Sequence, residues 1–258
     1  MSNIKNAFSK GKAFIAFVTA GHPTLDLSYE YITKIAKAGA DIIEIGIPFS
    51  DPVAEGVVIQ KANTCALKKG VALNNVFELT KRVRKNTNVP IVYLTYYNPV
   101  FNYGVEKFFE VLRELGVDGI IIPDLPFEES EEVLPFAKKN NIDLISLIAP
   151  TSSDRICKIA KNASGYIYLV SSMGVTGMRH EITTKLEDIV SEIRKITNVP
   201  VCVGFGINTK QQAAEIAKIS DGVIVGSAIV SIIENNGTGD TDKITDYVEM
   251  MKNAITES

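Results

Sequence analysis

Two carboxylates with unlike neighbours stand out in this 258-residue chain. Glu44 lies inside the apolar run Asp41-Ile42-Ile43-Glu44-Ile45-Gly46-Ile47, and Glu55 follows in a loop punctuated by Pro52 and Gly56. An acid within an apolar strand is costly unless something compensates or uses it. Two acids in different surroundings can divide proton donation and acceptance between them. Side chains alternate across a strand, so Ile43, Ile45 and Ile47 are expected on one face and Ile42, Glu44 and Gly46 on the other. Desolvation on that second face would raise the Glu44 pKa towards neutrality, as a group that both gives and takes a proton requires. The plain alternative is an ion-paired Glu, but no apolar run offers an inward Lys or Arg. Glu55, taken alone, reads as a solvated loop carboxylate, and Asp51 before Pro52 as a residue that shapes the turn.

The elements that must position these groups alternate along the chain. Apolar runs of strand length are Ala13–Thr19, Asp41–Ile47, Pro90–Thr95, Asp118–Pro123, Asp143–Ala149, Gly165–Ser171, Pro200–Phe205 and Asp221–Val225. They show little polar alternation, as strands covered on both faces should. Between them, stretches such as Glu106–Leu115, Glu128–Lys139 and Lys210–Ile219 space apolar residues at three and four, the helical period. Eight such β/α units in this length predict a single (β/α)8 TIM barrel spanning residues 1–258. The strand entries repeat a pattern in which a helix ends, Asp41, Asp118, Asp143 or Asp221 follows, and an apolar strand begins. On that fold Glu44 points inward near the C-terminal end of strand two, where barrel active sites lie.

A phosphate site is expected at the same end. Gly204-Phe205-Gly206-Ile207-Asn208 follows strand seven, with Thr209 suited to cap the next helix, and Gly226-Ser227-Ala228 follows strand eight. Glycines let backbone N–H groups approach an anion, and a helix N-terminus favours it. The loop Ser171–Met178 carries two glycines and could act as a lid.

Other classes are disfavoured. A net charge of −3 gives no general attraction for nucleic acid or anionic membranes. Cys65, Cys157 and Cys202 lack metal or disulfide spacing and read as free thiols. His22 and His180 are far apart, so no metal is expected; His22 precedes Pro23 in a turn whose peptide bond is open to the cis form. No Walker loop or dinucleotide fingerprint occurs, and no strand lysine is available for a Schiff base. Without a leader-like start or an apolar run of ~20 residues, a cytoplasmic protein is expected.

The run Glu44-Ile45-Gly46-Ile47-Pro48-Phe49-Ser50-Asp51-Pro52 resembles the signature of the tryptophan synthase alpha subunit family. The likeness continues through Phe17–Gly21, Pro123–Pro126, Gly174–Gly177, Gly204–Ile207 and Gly226–Val230, covering essentially the whole chain. It implies a (β/α)8 barrel lyase that cleaves indole-3-glycerol phosphate to indole and glyceraldehyde 3-phosphate. It also implies an αββα assembly with a beta subunit that carries pyridoxal phosphate, and no cofactor in this chain. By the resemblance Glu44 is the acid/base group, Glu55 the carboxylate that polarises the indole N–H, and Tyr168 an active-site tyrosine. Phe17, Ile59, Leu94 and Tyr96 fall on the indole pocket, and Thr176 on the lid residue that meets the second carboxylate. Gly177, Gly206, Gly226 and Ser227 fall on phosphate contacts, and Pro48 and Asp51 on the loop facing the beta subunit. The family's usual residue at Glu55 is Asp, and its usual residue at Val57 is Pro. An added methylene displaces the carboxylate by about 1.5 Å, so low activity without the partner is expected. Two other readings stay open: a weakly catalytic subunit that mainly activates its partner, and a stand-alone indole-releasing lyase.

Overall fold

The β-rich, doubly apolar runs become strands because each is covered on both faces. The computed structural model describes residues 2–150, 153–171, 179–204, 206–236 and 241–257. Among these, the strands are β1 (Ala13–Thr19), β2 (Ile42–Gly46), β3 (Ile91–Leu94), β4 (Gly119–Ile121), β5 (Asp143–Leu144), β6 (Ser146–Ile148), β7 (Ile167–Val170), β8 (Val201–Gly204) and β9 (Gly222–Val225). All neighbours pair in parallel, in the order β5-β4-β3-β2-β1-β9-β8-β7-β6. The sequence indicates one strand over Asp143–Ala149; the structure divides it. β5 bonds to β4, β6 bonds to β7, and Ile145 N–H still reaches Ile120 O at 2.9 Å. β4 ends at Ile121, and its register with β5 goes no further than Ile120. The two halves of one run therefore close the barrel.

Helices occupy the connections. They are α1 (Ile4–Ala7), α2 (Leu25–Lys37), α3 (Val57–Lys68), α4 (Leu73–Arg84), α5 (Tyr97–Tyr103), α6 (Val105–Glu114), α7 (Leu134–Lys139), α8 (Ser153–Asn162), α9 (Arg179–Arg194), α10 (Lys210–Ile219), α11 (Ser227–Asn236) and α12 (Asp242–Thr256). The helical spacing over Glu128–Lys139 resolves into a 3-10 turn at Phe127–Glu132 followed by α7, with Pro135 in the first turn of α7. Proline fits there and would break a longer helix. The His22–Pro23 bond is cis.

Two apolar layers result. Ile43, Ile45 and Ile47 face the helix ring and pack with Tyr31, Ile32 and Ile35, whereas Ile42 lies inside with Ile15, Val92, Ile121 and Ile224. Ile4 and Ala7 of α1 plug the lower end of this interior. Three of the four strand-entry aspartates have a common task. Asp41 Oδ2 accepts from Phe14 N at 2.7 Å, Asp118 Oδ2 from Ile91 N at 3.0 Å, and Asp221 Oδ2 from Val201 N at 2.9 Å. Each thus satisfies the first free N–H of an adjacent strand, and each is ion-paired, to Lys252, Arg84 and Arg194 respectively. Asp118 also accepts from Asn3 N at 2.9 Å, which ties the plug to the barrel floor.

Candidate functional site

Glu44 sits in the middle of β2, level with Phe17 of β1 and Val92 of β3. Its side chain is 1% exposed and enters the barrel, as the alternation requires. Tyr166 donates its hydroxyl to Glu44 Oε1. Burial pushes the Glu44 pKa from 4.5 up to about 7, and the Tyr166 hydrogen bond only partly opposes that. Among the described residues neither Glu44 nor Glu55 makes an ion pair. Glu44 is thus a carboxyl poised between its two protonation states at neutral pH.

Above it opens a cavity of about 500 Å³ at the C-terminal end of the strands. Its walls include Phe17, Ile59, Leu94, Leu147, Tyr168 and Ile224, and both Glu44 and Glu55 face it. Phe17 and Tyr168 can stand here because glycines make room. A Cβ on Gly46 would come within 2.5 Å of the Phe17 ring, and one on Gly204 within 2.5 Å of the Tyr168 hydroxyl. Tyr168 lies near enough to Glu44 that the carboxylate's charge, after burial, raises the phenol's pKa well above its ordinary value.

Glu55 approaches from the loop between β2 and α3. Burial raises its pKa, and hydrogen bonds from Tyr96 and the backbone oppose the shift. The Tyr96 hydroxyl donates to Glu55 Oε2 at 2.6 Å and accepts from Val53 N and Ala54 N at 3.0 Å each. Tyr96 is 1% exposed and holds the loop, while the cavity surface itself is made by residues such as Leu94 and Ile59.

The opposite end of the cavity is polar backbone. Gly206, Ile207, Asn208, Gly226 and Ser227 line it. Gly206 has φ +76°, a conformation that favours glycine. The loop is pinned by a capping box in which Thr209 Oγ1 accepts from Gln212 N at 3.3 Å. Gln212 Oε1 in return accepts from Asn208 N at 2.9 Å and Thr209 N at 3.1 Å. Gly226 precedes α11, whose first-turn N–H groups are free of helical partners by construction. This end suits an anion.

Thr176 and Gly177, with the rest of 172–178, lie outside the described residues. Pro48 is buried and Asp51 is exposed beside Ser50. Sequence reasoning missed Tyr166, the phenol that meets Glu44. The signal was present: Tyr166 and Tyr168 stand two apart on one strand and so share the inward face. It also missed Gly46 and Gly204 as space for rings, which only the packing reveals. A second cavity, of about 320 Å³, lies behind Pro123 and Leu147, and its Glu128 and Arg155 are paired with each other. Among the described residues no cluster of three or more His, Cys, Asp or Glu is placed to hold a metal, and no helix is long and apolar enough to cross a membrane.

The chain as a whole matches known proteins. The family model described as "Tryptophan synthase alpha chain" matches residues 3–257. A curated alpha chain of Lacticaseibacillus casei is 50% identical over 90% of this chain and 88% of that one. One from Lactiplantibacillus plantarum is 46% identical over 99% and 97%. The solved tryptophan synthase subunit alpha from Campylobacter jejuni superposes with a TM-score of 0.88 at 38% identity, covering 97% of this chain and 99% of that one. The chain belongs to the tryptophan synthase alpha chain family.

Proposed function

We propose that this chain is a carbon–carbon lyase that cleaves indole-3-glycerol phosphate to indole and glyceraldehyde 3-phosphate, working as the alpha subunit of tryptophan synthase in tryptophan biosynthesis. One observation carries the reading: two carboxylates without cation partners face one apolar cavity whose far end is glycine and helix N-terminus. The indole ring fits the wall of Phe17, Ile59 and Leu94, and the phosphate fits Gly206, Gly226 and Ser227; Gly177 is assigned to the phosphate by family likeness alone. Protonated Glu44 gives its proton to C3 of the indole ring. The adjacent glycerol hydroxyl then gives its proton to the Glu44 carboxylate so formed and becomes the aldehyde of the leaving glyceraldehyde 3-phosphate. The electrons of the broken C–C bond return to the ring, and indole departs. Glu55 holds the indole N–H and offsets the positive charge that protonation places on the ring. Tyr168 lines the cavity beside Glu44, and family likeness alone assigns Thr176 as the partner of Glu55.

The same reading gives the chain a partner. A beta subunit carrying pyridoxal phosphate receives the indole in an αββα assembly, and the cofactor belongs to that subunit. Val53 and Val57 of the Glu55 loop are 78% and 67% exposed and Phe101 of α5 is 62% exposed, which makes this rim the face offered to it. By family likeness Pro48, which is buried, and Asp51, which is exposed, belong to the loop that faces that subunit. The absence of a membrane-spanning helix among the described residues is compatible with the cytoplasm as the site of action.

The test is indole release from indole-3-glycerol phosphate by wild type and by Glu44→Gln, with and without the beta subunit. Wild type should turn over, faster with beta, and the variant should not. Unchanged release by Glu44→Gln removes the lyase mechanism. Equal wild-type turnover with and without beta removes the expectation of low activity without the partner.

A further inference from the structure

We propose that Tyr96 is a positioning residue for Glu55: its single hydroxyl sets both the shape of the 49–55 loop and the direction of the loop's carboxylate. This rests on the reading of Glu55 as the group that meets the indole N–H.

A phenol hydroxyl offers one donor and two acceptor sites. In Tyr96 all three point at one loop: the proton goes to Glu55 Oε2 at 2.6 Å, and the oxygen accepts from Val53 N and Ala54 N at 3.0 Å each. The ring stacks on Phe49 at the loop's start, with centroids 4.8 Å apart and planes 23° apart. Both ends of the loop therefore converge on one side chain. That side chain is itself immobile. Thr95 N bonds to Ile121 O at 3.0 Å and Tyr97 N to Asp124 Oδ1 at 2.9 Å, so the backbone on either side of Tyr96 is tied to β4 and the segment beyond it. The other tethers on Glu55 are local: its own backbone N–H reaches the carboxylate, and Gln60 Nε2 donates to Glu55 O at 2.8 Å.

The loop itself supplies little rigidity. It has few apolar contacts, with Val53 and Val57 exposed, and Gly56 has nothing within 4 Å of where a Cβ would stand. A loop of this kind samples many conformations unless its backbone groups are satisfied. Tyr96 satisfies two of them and the acid together. Its donated hydrogen bond also stabilises the ionised form of Glu55, which is the form that accepts the indole N–H.

Tyr96→Phe removes the hydroxyl and keeps the ring on Phe49. With the beta subunit present, its kcat for indole release should fall about tenfold or more, while KM changes less than about threefold. The acid limb of its kcat/KM profile should move to higher pH, a change that looser packing alone would not cause. In a Glu55→Gln background, Tyr96→Phe should add less than about twofold, because the two groups act as one unit. Wild-type amides of Val53 and Ala54 should exchange at least about tenfold more slowly than an open loop, a readout that needs no variant. Wild-type kinetics and pH profile in Tyr96→Phe, the same loss in the Glu55→Gln background as in wild type, or unprotected amides at Val53 and Ala54 each overturn the proposal. If Glu55→Gln alone retains full turnover, the role assigned to Glu55 fails and Tyr96 falls with it. If Glu55→Gln is impaired and Tyr96→Phe is not, only the Tyr96 proposal fails.

Discussion

The floor and the mouth of this barrel both hold acids, and they treat them in opposite ways. At the floor, Asp41, Asp118 and Asp221 each accept from a strand N–H and from a lysine or arginine. At the mouth, among the described residues, Glu44 has the Tyr166 hydroxyl and Glu55 the Tyr96 hydroxyl and backbone as partners, and neither makes an ion pair. Removing an acid held by both an amide and a cation leaves those partners unpaired, which is costly. An acid given hydroxyl partners in an apolar cavity can change charge state, and that is what proton transfer needs. The difference separates structural carboxylates from reactive ones without reference to any relative.

The largest consequence falls at the mouth. Glu44→Gln should lower kcat for indole release about a thousandfold, some 4 kcal/mol in the barrier, with the fold intact by circular dichroism. A loss under tenfold would make Glu44 as passive as the floor acids. The floor should show the converse. Asp118→Ala strips Arg84 of its carboxylate and leaves the amides of Asn3 and Ile91 without their partner. It should cost about 3 kcal/mol or more in denaturant unfolding, while kcat of the folded variant stays within about twofold, since no step is routed through Asp118.

A third experiment sets activity against stability at one residue. The folded pKa of Glu44, about 7, lies above its ordinary 4.5. The native state therefore holds a proton that the unfolded chain has lost between those values, and stability declines as pH rises through that window. The decline is about 3 kcal/mol at one pKa unit per 1.36 kcal/mol. Glu44→Gln carries no such charge, so it should be more stable than wild type at pH 8 by up to that amount, with the advantage gone near pH 4. A destabilised Glu44→Gln at pH 8 would mean that the charge is compensated after all. The smallest effect is expected on the outer surface. Lys139→Ala deletes an exposed pair with Glu106 and should shift stability by less than about 0.5 kcal/mol; a loss above 1 kcal/mol would show that exposed pairs also contribute like the floor acids.

Much of the mouth was legible in the sequence because strand alternation is a local rule. Once Asp41–Ile47 is a buried strand, Glu44 must point inward, and the structure places it there. The repeated Asp before strands was visible as a pattern, but its task was not, since Phe14, Ile91 and Val201 become partners only when the barrel closes. Asp143 shares the pattern, yet among the described residues no side-chain hydrogen bond or ion pair marks it as a fourth clasp. The division of the fifth strand was not legible, because which neighbour each half pairs with is a relation between strands that no single run reveals. Glu55 needed family likeness because a loop carboxylate has no periodicity to fix its direction. What fixes it is Tyr96, distant in sequence and adjacent only through the fold.

The central claim, that Glu44 is a buried acid left without a cation so that it can move protons at neutral pH, is tested most directly by titrating it. Carbon-13 NMR of glutamate-labelled protein, with the Glu44 carboxyl signal assigned by its loss in Glu44→Gln, should show a midpoint near 7. A midpoint at or below 4.5 would mean that Glu44 is a solvated or paired carboxylate, and would contradict the account.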